Sequence, residues 1–484
     1  MFNCTLQGKF QQRPCNAALL RSGRQTFRCL LAAIAAICLP LIATASASKP
    51  VRASHFSEPY TLSYAAGGYD AAGNFMGGTE FLSLVAFQGK LYGAVGYWMD
   101  RPDHFPQHPD PAPGPQVLVL DSSHGQWRQE VAFSRYAEQR ARVSTMEAVT
   151  FHRFNEAGKL VGTQAEFLVA AAGDAGGSVF TRRSAGNWVD THLPVPGAVR
   201  SLVVHYDPVA KVEKLYAGSG GNGNAIGTQT VYSGVYDPSA PGWIKWNPVP
   251  ELITNTSRVM SMCDCDGQLF AGAKPSILGQ NDQTQSFTSI YSYATHPFDT
   301  TRYASGFRGL TPITRANGTK FILSGFEGVK GDIQEIDPAT GTAITELQAR
   351  QFLTRLWRGA PIGSDIVVGY NNIPLVAPEI RLFGLLTHSP NPSEANSAWM
   401  LSRVGTTGGA YSYNLHEIRP LSFPYRRTDL ALYSVRTEIV SPFPEDLGQV
   451  LFLGGYDGHF KGDHNTAWLY RVGIGTALSP YKGK

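Results

Sequence analysis

Short runs of apolar, β-branched and aromatic residues recur along the whole chain, and polar turns rich in glycine, proline and asparagine separate them. One phrase repeats: an apolar run, a turn, a second apolar run ending in glycine, and a polar loop. It reads EFLSLVAFQGKLYGAVGY from Glu80 and RVMSMCDCDGQLFAGA from Arg258. Runs of this composition between turn residues are typical of β-strands. The phrase therefore predicts an antiparallel β-hairpin.

The hairpin phrase occurs seven times, and every copy begins with a charged residue. These first residues are Glu80, Glu147, Arg200, Arg258, Arg308, Arg358 and Arg436. A second pair of candidate strands follows each hairpin, as in QVLVLDSSHGQWRQEV. Four antiparallel strands per unit, repeated seven times, predict an all-β fold, namely a seven-bladed β-propeller. Two stacked β-sandwiches are the rival architecture, but they give no reason for a sevenfold repeat.

The two ends of the repeat predict how the ring closes. The seventh unit stops after TAWLYRVGIG, so its outer strand is expected from the N-terminal EPYTLSY, Glu58 to Tyr64. Two segments depart from the strand pattern and predict short helical insertions. They are AITELQARQFLTRLW, with Leu347, Phe352 and Leu356 at helical spacing, and SRYAEQRARV.

The first 47 residues have the pattern of a secretory signal peptide. Arginines precede the apolar run CLLAAIAAICLPLIATASA, which ends in an Ala-x-Ala pattern at Ala45 and Ala47. We therefore expect a signal peptide over residues 1–47, a single propeller domain over 48–484, and a secreted or periplasmic protein. A retained membrane anchor is the alternative for the same segment.

Removing this leader changes the charge and the cysteine content. Five of the 41 basic residues lie in the leader, which has no acidic residue, so 36 basic residues remain against 37 acidic ones. This balance argues against a nucleic-acid partner. Only Cys263 and Cys265 remain of six cysteines, so we expect no dependence on disulfides and two small core side chains. No membrane partner is expected after leader removal, and the protein is expected to be a monomer.

The charged first residues predict a ring around the mouth of the central channel, because inner strands of a propeller start beside its axis. The ring would hold five arginines, Arg200, Arg258, Arg308, Arg358 and Arg436, and two glutamates, Glu80 and Glu147. The guanidinium group of arginine can bind a carboxylate or sulfate group through two parallel hydrogen bonds. The alternative is that the arginines bind carbonyl groups of neighbouring blades and brace the channel.

Loops on the same face carry side chains suited to chemistry. The first blade offers Tyr97, Trp98, His104 and His108, and the sixth offers Asn371. The seventh offers Tyr456, Asp457, His459 and His464 in GGYDGHFKGDHNTAW, and ring closure would bring it beside the first blade.

Candidate acids and bases are His104, His459, His464, Tyr97 and Tyr456, with Trp98 and Asn371 contacting substrate. Candidate metal ligands are His104, His108, Asp457 and His464, and solvated loops are the alternative.

Several of these phrases carry a resemblance to a known group. GKLYGAVGYWMD, CDGQLFAGA, RGLTPI and SPFPEDLGQVLFLGGYDG resemble secreted Kelch- or BNR-like propellers of uncharacterised function. The similarity covers most of the chain after the leader, and it implies the fold without assigning any catalytic residue. The sialidase aspartate box is missing, which weighs against a sialidase.

Three functions follow as hypotheses. The first is an extracytoplasmic carbohydrate-active enzyme, a polysaccharide lyase or glycoside hydrolase that binds an anionic glycan or another small anionic ligand at the channel mouth. The second is a non-catalytic ligand- or protein-binding propeller that uses the same face. The third is a metal-dependent hydrolase of a small lactone or phosphate. No cofactor is required by the first two, and a divalent metal belongs to the third.

Overall fold

The computed structural model describes a ring of seven small antiparallel sheets. The residues that it describes are 59–97, 114–133, 142–173, 177–194, 198–220, 229–254, 258–301, 305–315, 317–362, 366–369, 373–394, 396–406, 410–419, 432–457 and 465–482.

The strands follow the blades in chain order. Before the first blade come β1 (Thr61–Ala65), β2 (Gly68–Tyr69) and β3 (Phe75–Met76). Blade 1 contains β4 (Glu80–Phe87), β5 (Lys90–Gly96), β6 (Gln116–Leu120) and β7 (Arg128–Ala132). Blade 2 contains β8 (Val143–Phe154), β9 (Leu160–Gly173), β10 (Gly177–Ser184) and β11 (Asn187–Asp190). Blade 3 contains β12 (Val199–Asp207), β13 (Val212–Ser219), β14 (Gln229–Tyr236), β15 (Ile244–Trp246) and β16 (Leu252–Thr254).

The remaining blades repeat this order. Blade 4 contains β17 (Val259–Cys265), β18 (Gln268–Ala273), β19 (Ser276–Gln280) and β20 (Phe287–Ser292). Blade 5 contains β21 (Gly306–Thr314), β22 (Lys320–Glu327), β23 (Asp332–Asp337) and β24 (Thr342–Gln348). Blade 6 contains β25 (Leu375–Ala377), β26 (Ile380–Leu385), β27 (Ala398–Gly405) and β28 (Tyr411–Ile418). Blade 7 contains β29 (Leu432–Val440), β30 (Val450–Asp457) and β31 (Trp468–Gly473), and β1 is its fourth strand.

The N-terminal strand closes the ring, as the sequence predicts. β1 pairs antiparallel with β31, with Thr61 opposite Arg471 and Ala65 opposite Trp468. The first described strand therefore completes the last blade. β30 extends two residues past Gly455 to Asp457, and β31 begins at Trp468.

Seven apolar clusters join the blades into a ring. Each cluster combines buried side chains from two consecutive blades, and the seven contacts include the one between blades 7 and 1. In that last contact, Phe81 and Trp127 of blade 1 pack with Phe452 of blade 7 and Tyr64 of β1. Because a single sheet cannot cover both of its faces, these shared clusters are the core of the protein.

Helices are few and short. They are α1 (Pro297–Thr301), α2 (Ala349–Leu356) and α3 (Ile474–Ala477), with 3₁₀ turns at Pro241–Trp243, Pro392–Glu394 and Pro444–Asp446. The helix predicted around Phe352 is confirmed as α2, but Leu347 belongs to β24. The other predicted helix lies almost wholly in residues 134–141, outside the described residues. Among the helices of the described chain, none is long and apolar enough to cross a membrane.

A β-bulge near its start marks five of the inner strands. In each of them the register shifts across a three-residue step whose first residue is apolar and whose third is serine or threonine. The steps are Phe81 to Ser83, Val143 to Thr145, Val199 to Ser201, Val259 to Ser261 and Val435 to Thr437. The third residue of the step bridges to the next blade, because Met262 N–H donates to Ser201 Oγ at 2.9 Å and Leu310 N–H donates to Ser261 Oγ at 2.8 Å.

Candidate functional site

The structure places the seven predicted ring residues at several different positions. Glu80 begins β4, and Arg258 directly precedes β17, as expected. Arg200 and Arg436 are the inserted residues of the bulges in β12 and β29, and Arg308 lies at the register irregularity of β21. The charges therefore flank the first apolar residue of the strand on either side, rather than occupying one repeated position.

Two of the seven predictions are wrong in placement. Glu147 does not start an inner strand, because β8 begins at Val143 and Glu147 lies within it. Arg358 lies on no strand, since it follows α2 in a turn with a positive φ of 55° and its side chain is exposed. The inner edge of blade 6 is formed instead by the stretch around Val368, which bridges Leu385. Arg358 therefore does not hold the inner-strand position that the repeat predicts.

Arg142 is a ring residue that sequence reasoning missed. It directly precedes Val143 and forms an isolated bridge with Gly96 of blade 1. RVST at residues 142–145 matches RVMS at 258–261, and this likeness is the signal that could have found it. With Arg142 in place of Arg358, the ring still contains five arginines.

Arginines from four blades converge on the channel axis. Burial, followed by the positive charges of Arg258, Arg436 and Arg142, lowers the pKa of the Arg308 guanidinium. Arg308 and Arg142 belong to blades 5 and 2, which are not neighbours in a ring of seven. Their charges can act on each other only across the centre. We call Arg142, Arg258, Arg308 and Arg436 the arginine cluster.

Two glutamates are ion-paired to the arginine cluster. Glu80 is fully buried, and its Oε1 accepts a hydrogen bond from Arg436 Nη2 at 2.8 Å. Its Oε2 lies 3.7 Å from Arg142 Nη1, so this one carboxylate joins blades 7, 1 and 2. In blade 5, Arg308 forms a buried ion pair with Glu327 at the end of β22. Part of the positive charge is thus neutralised by carboxylates of the protein itself.

Arg258 is the partly exposed member of the arginine cluster, whereas Arg142, Arg308 and Arg436 are buried. Arg200 is also buried and packs on the backbone of Gly220, where a Cβ would lie 2.9 Å from Arg200 Cγ. A ligand entering the mouth would therefore meet Arg258 first among the arginine cluster.

Two further carboxyl groups lie on inner strands and are perturbed by burial alone. Burial raises the pKa of Glu147 in β8 to about 7 and that of Glu438 in β29 to about 8. Neighbouring charges contribute to neither shift, so these groups are electrostatically separate from the arginine cluster.

Both tyrosines proposed as acid or base are buried. Tyr97 directly follows β5 and is fully buried, and Tyr456 lies in β30 with 3% of its surface exposed. The guanidinium of Arg436 lies over the Tyr456 ring, 4.7 Å from its centre. Tyr456 therefore contacts the arginine cluster directly.

The other predicted site residues cannot be placed against this geometry. Trp98, His104, His108, Asn371, His459 and His464 lie outside the described residues, as does the side chain of Asp457. Within the described ranges, no three histidine, cysteine, aspartate or glutamate side chains are grouped to hold a metal. The four predicted metal ligands fall outside that search, so the metal site stays a prediction.

The two cysteines of the described chain are both free and buried. Cys263 and Cys265 lie in the apolar cluster between blades 4 and 5. Burial raises the pKa of the Cys265 thiol to about 11, which makes it a poor nucleophile at neutral pH.

Comparison with known proteins yields remote structural similarity only. No family model matches the sequence, and no curated protein matches it. YCF48 from Cyanidioschyzon merolae is 10% identical, with a TM-score of 0.43 over 86% of this chain and 98% of that one. Sqt1 of Saccharomyces cerevisiae has the same identity and TM-score over 86% of this chain and 88% of its own.

A third similar structure is the extracellular domain of a putative hybrid two-component system, BT4673, from B. thetaiotaomicron. It is 11% identical, with a TM-score of 0.30 over 86% of this chain and 49% of that one. Likeness at this level says nothing about function.

Proposed function

We propose that the protein is an extracytoplasmic propeller that binds an anionic ligand at its channel mouth, with an acidic glycan as the candidate ligand. The convergence of arginines from blades 2, 4, 5 and 7 on one axis carries the proposal. Guanidinium groups recognise carboxylate, sulfate and phosphate oxygens through parallel hydrogen bonds. The leader pattern supports the location, and the quoted motifs support a Kelch- or BNR-like subtype within the same proposal.

Binding without chemistry is the reading that the geometry favours. Both described candidates for acid and base are buried, and part of the arginine cluster is already engaged by Glu80 and Glu327. Arg258 is the member that combines partial exposure with a place in the cluster. It is the residue expected to contact ligand directly.

The test compares Arg258→Gln with Arg358→Gln, a matched control in an exposed turn whose charge does not act on the pKa of Arg308. Calorimetric titrations would use a uronic oligosaccharide, its sulfated counterpart and the neutral parent sugar. Losing one charge-assisted contact should weaken binding of the acidic sugars about tenfold to hundredfold in Arg258→Gln. Arg358→Gln should bind like wild type. Absence of binding to both acidic sugars, or equal effects of the two substitutions, would contradict the proposal.

A carbohydrate-active enzyme is the second candidate, and the position of Tyr456 favours it. The Arg436 guanidinium over the Tyr456 ring places a phenol beside the arginine cluster, where it could exchange a proton with an arginine-bound substrate. A lyase acting on uronic polysaccharide forms an unsaturated product that absorbs in the ultraviolet, whereas a hydrolase releases reducing ends. Tyr456→Phe should abolish the ultraviolet signal while keeping binding; activity retained in this variant would remove Tyr456 from the mechanism.

A further inference from the structure

The contact between blades 6 and 7 contains a carboxyl group where other blades carry apolar side chains. Glu438 follows the bulge residue Thr437 directly in β29. The residues that follow the corresponding serine or threonine in blades 1 to 4 are Leu84, Met146, Leu202 and Met262. The position is thus apolar in all four of those blades.

The surroundings of Glu438 are those of a buried apolar side chain. A Cβ built on Gly384 of β26 would lie 3.1 Å from Glu438 Oε1. Met262 approaches Gly218 of blade 3 in the same way, at 3.2 Å, and Leu310 approaches Gly272 of blade 4 at 2.7 Å. Glu438 is 3% exposed, and its buried Oε1 accepts no hydrogen bond from any residue that the structure describes. An ionised carboxylate would leave that oxygen without the partners that a buried charge requires.

The charged groups on the packed strands are directed elsewhere. On its own strand, Arg436 pairs with Glu80. On β26, Arg381 donates to the carbonyl oxygen of Ile373, and on β27, Arg403 pairs with Glu346 and Glu335 of blade 5. None of these cations contributes to the raised pKa of Glu438, whose only cause is burial.

From this geometry, we propose that the blade 6–7 contact is a proton-controlled seam, which closes fully only when Glu438 is a neutral carboxylic acid. An isolated bridge of Leu386 with Ser434 pairs the backbones of the two blades, and within blade 6 Val368 meets Leu385 through another isolated bridge. Packed side chains rather than a strand ladder join blades 6 and 7, so this contact can open locally without unfolding of the whole ring. The inference does not depend on the proposed ligand.

The direction of the pH effect follows from linkage. In the closed seam Glu438 has a pKa of about 8, and in the open seam it returns to the ordinary range of glutamate. The closed seam therefore holds a proton that the open seam releases. The equilibrium constant for opening of the seam should increase about tenfold per pH unit from about pH 4.5 to about pH 8 and level off above that. The seam is closed in acid and loosened at neutral to mildly alkaline pH.

Hydrogen exchange of the full chain at pH 5, 6, 7 and 8, corrected for the intrinsic exchange rate, tests this seam. Peptides over residues 380–386 and 432–440 should lose protection by about tenfold per pH unit in wild type. In Glu438→Met, which restores the side chain found at Met146 and Met262, the same peptides should show no pH dependence. Peptides over 212–219 and 259–265 report on the apolar contact between blades 3 and 4 and serve as the internal control.

The reciprocal variant Met262→Glu should transfer the pH dependence to the blade 3–4 peptides. If that variant does not fold, the comparison of wild type with Glu438→Met decides alone. Equal pH slopes in wild type and Glu438→Met would overturn the proposal. So would a wild-type slope shared by all peptides, because it would report global unfolding rather than a local seam.

Discussion

At the residue scale, Glu80 is the side chain on which the channel mouth depends most. It is fully buried and contacts Arg436 and Arg142, so one carboxylate neutralises charge from two other blades. Desolvating such groups is costly, and the cost is offset only while all partners are present. The same reasoning separates Glu80 from Glu438, whose pKa is raised by burial without an opposing contribution from any cation of the described residues.

Replacing Glu80 with glutamine should destabilise the fold by about 3–5 kcal/mol, because two buried arginines would lose their carboxylate. Urea unfolding followed by tryptophan fluorescence measures this change. Asp121→Asn is the matched control, because its ion pair with Lys90 is solvent-exposed and should contribute less than about 1 kcal/mol. A small effect of Glu80→Gln, similar to that of the control, would show that the ion pairs of Glu80 with Arg436 and Arg142 do not stabilise the ring.

At the element scale, the bulge near the start of the inner strand organises the mouth. The bulge adds local twist to the strand. The charged residue either is the inserted residue, as in β12 and β29, or directly precedes the bulge, as in β4, β8 and β17. The serine or threonine that ends the bulge can then bind the backbone of the next blade, as Ser201 does at Met262 and Ser261 at Leu310. One short motif thus supplies both the charges of the mouth and part of the contact between blades.

Ser201→Ala should cost about 1–3 kcal/mol in the free energy of unfolding, because the buried Met262 N–H would lose its acceptor. Ser239→Ala is the control, since Ser239 bonds Asp237 in an exposed turn and its loss should stay within about 0.5 kcal/mol. Thermal or urea unfolding of the two variants beside wild type provides the comparison. A wild-type value for Ser201→Ala would mean that another acceptor replaces the hydroxyl.

At the scale of the whole molecule, stability depends on closing the ring between blades 7 and 1. β1 supplies the fourth strand of blade 7, and Tyr64 enters the apolar cluster between the two blades. A polar clasp at the same junction adds to it, with Asp446 accepting hydrogen bonds from Arg471 Nη2 and from Ser123 Oγ, both at 2.5 Å. The first and last blades are therefore joined by strand pairing, apolar packing and ion pairing together.

A chain that begins at residue 66 should be strongly destabilised relative to one that begins at residue 59. The shorter chain lacks β1 and exposes the β31 edge, and losing buried aromatic packing alone costs about 3–5 kcal/mol. Urea midpoints and the monomer fraction of both chains measure the effect, and association through the exposed edge is expected. Matching midpoints in the two chains would contradict this role of β1.

Most of the fold could be predicted from the sequence, because strand patterns are local. Six of the seven hairpins, the closing strand and the helix near Phe352 each follow from the spacing of apolar and polar residues within a few positions. The prediction for blade 6 was wrong because its inner edge pairs through isolated bridges around Val368, without the long apolar run of the other inner strands. The charged Arg358 then resembled a strand start although it lies in a turn.

The site was less accessible to sequence reasoning, since it depends on register between strands and on contacts across the axis. The inner strand β8 starts at Val143, four residues before Glu147, so Arg142 rather than Glu147 lies at the strand start, and nothing in one hairpin alone reveals where the pairing begins. The burial of Glu438 against Gly384 likewise depends on a neighbouring blade. The sequence by itself determined that seven blades form and that arginines lie near the inner strand starts. Only the tertiary structure decided which charges meet and which carboxyl groups are buried among apolar side chains, because pairing and burial are set by residues distant along the chain.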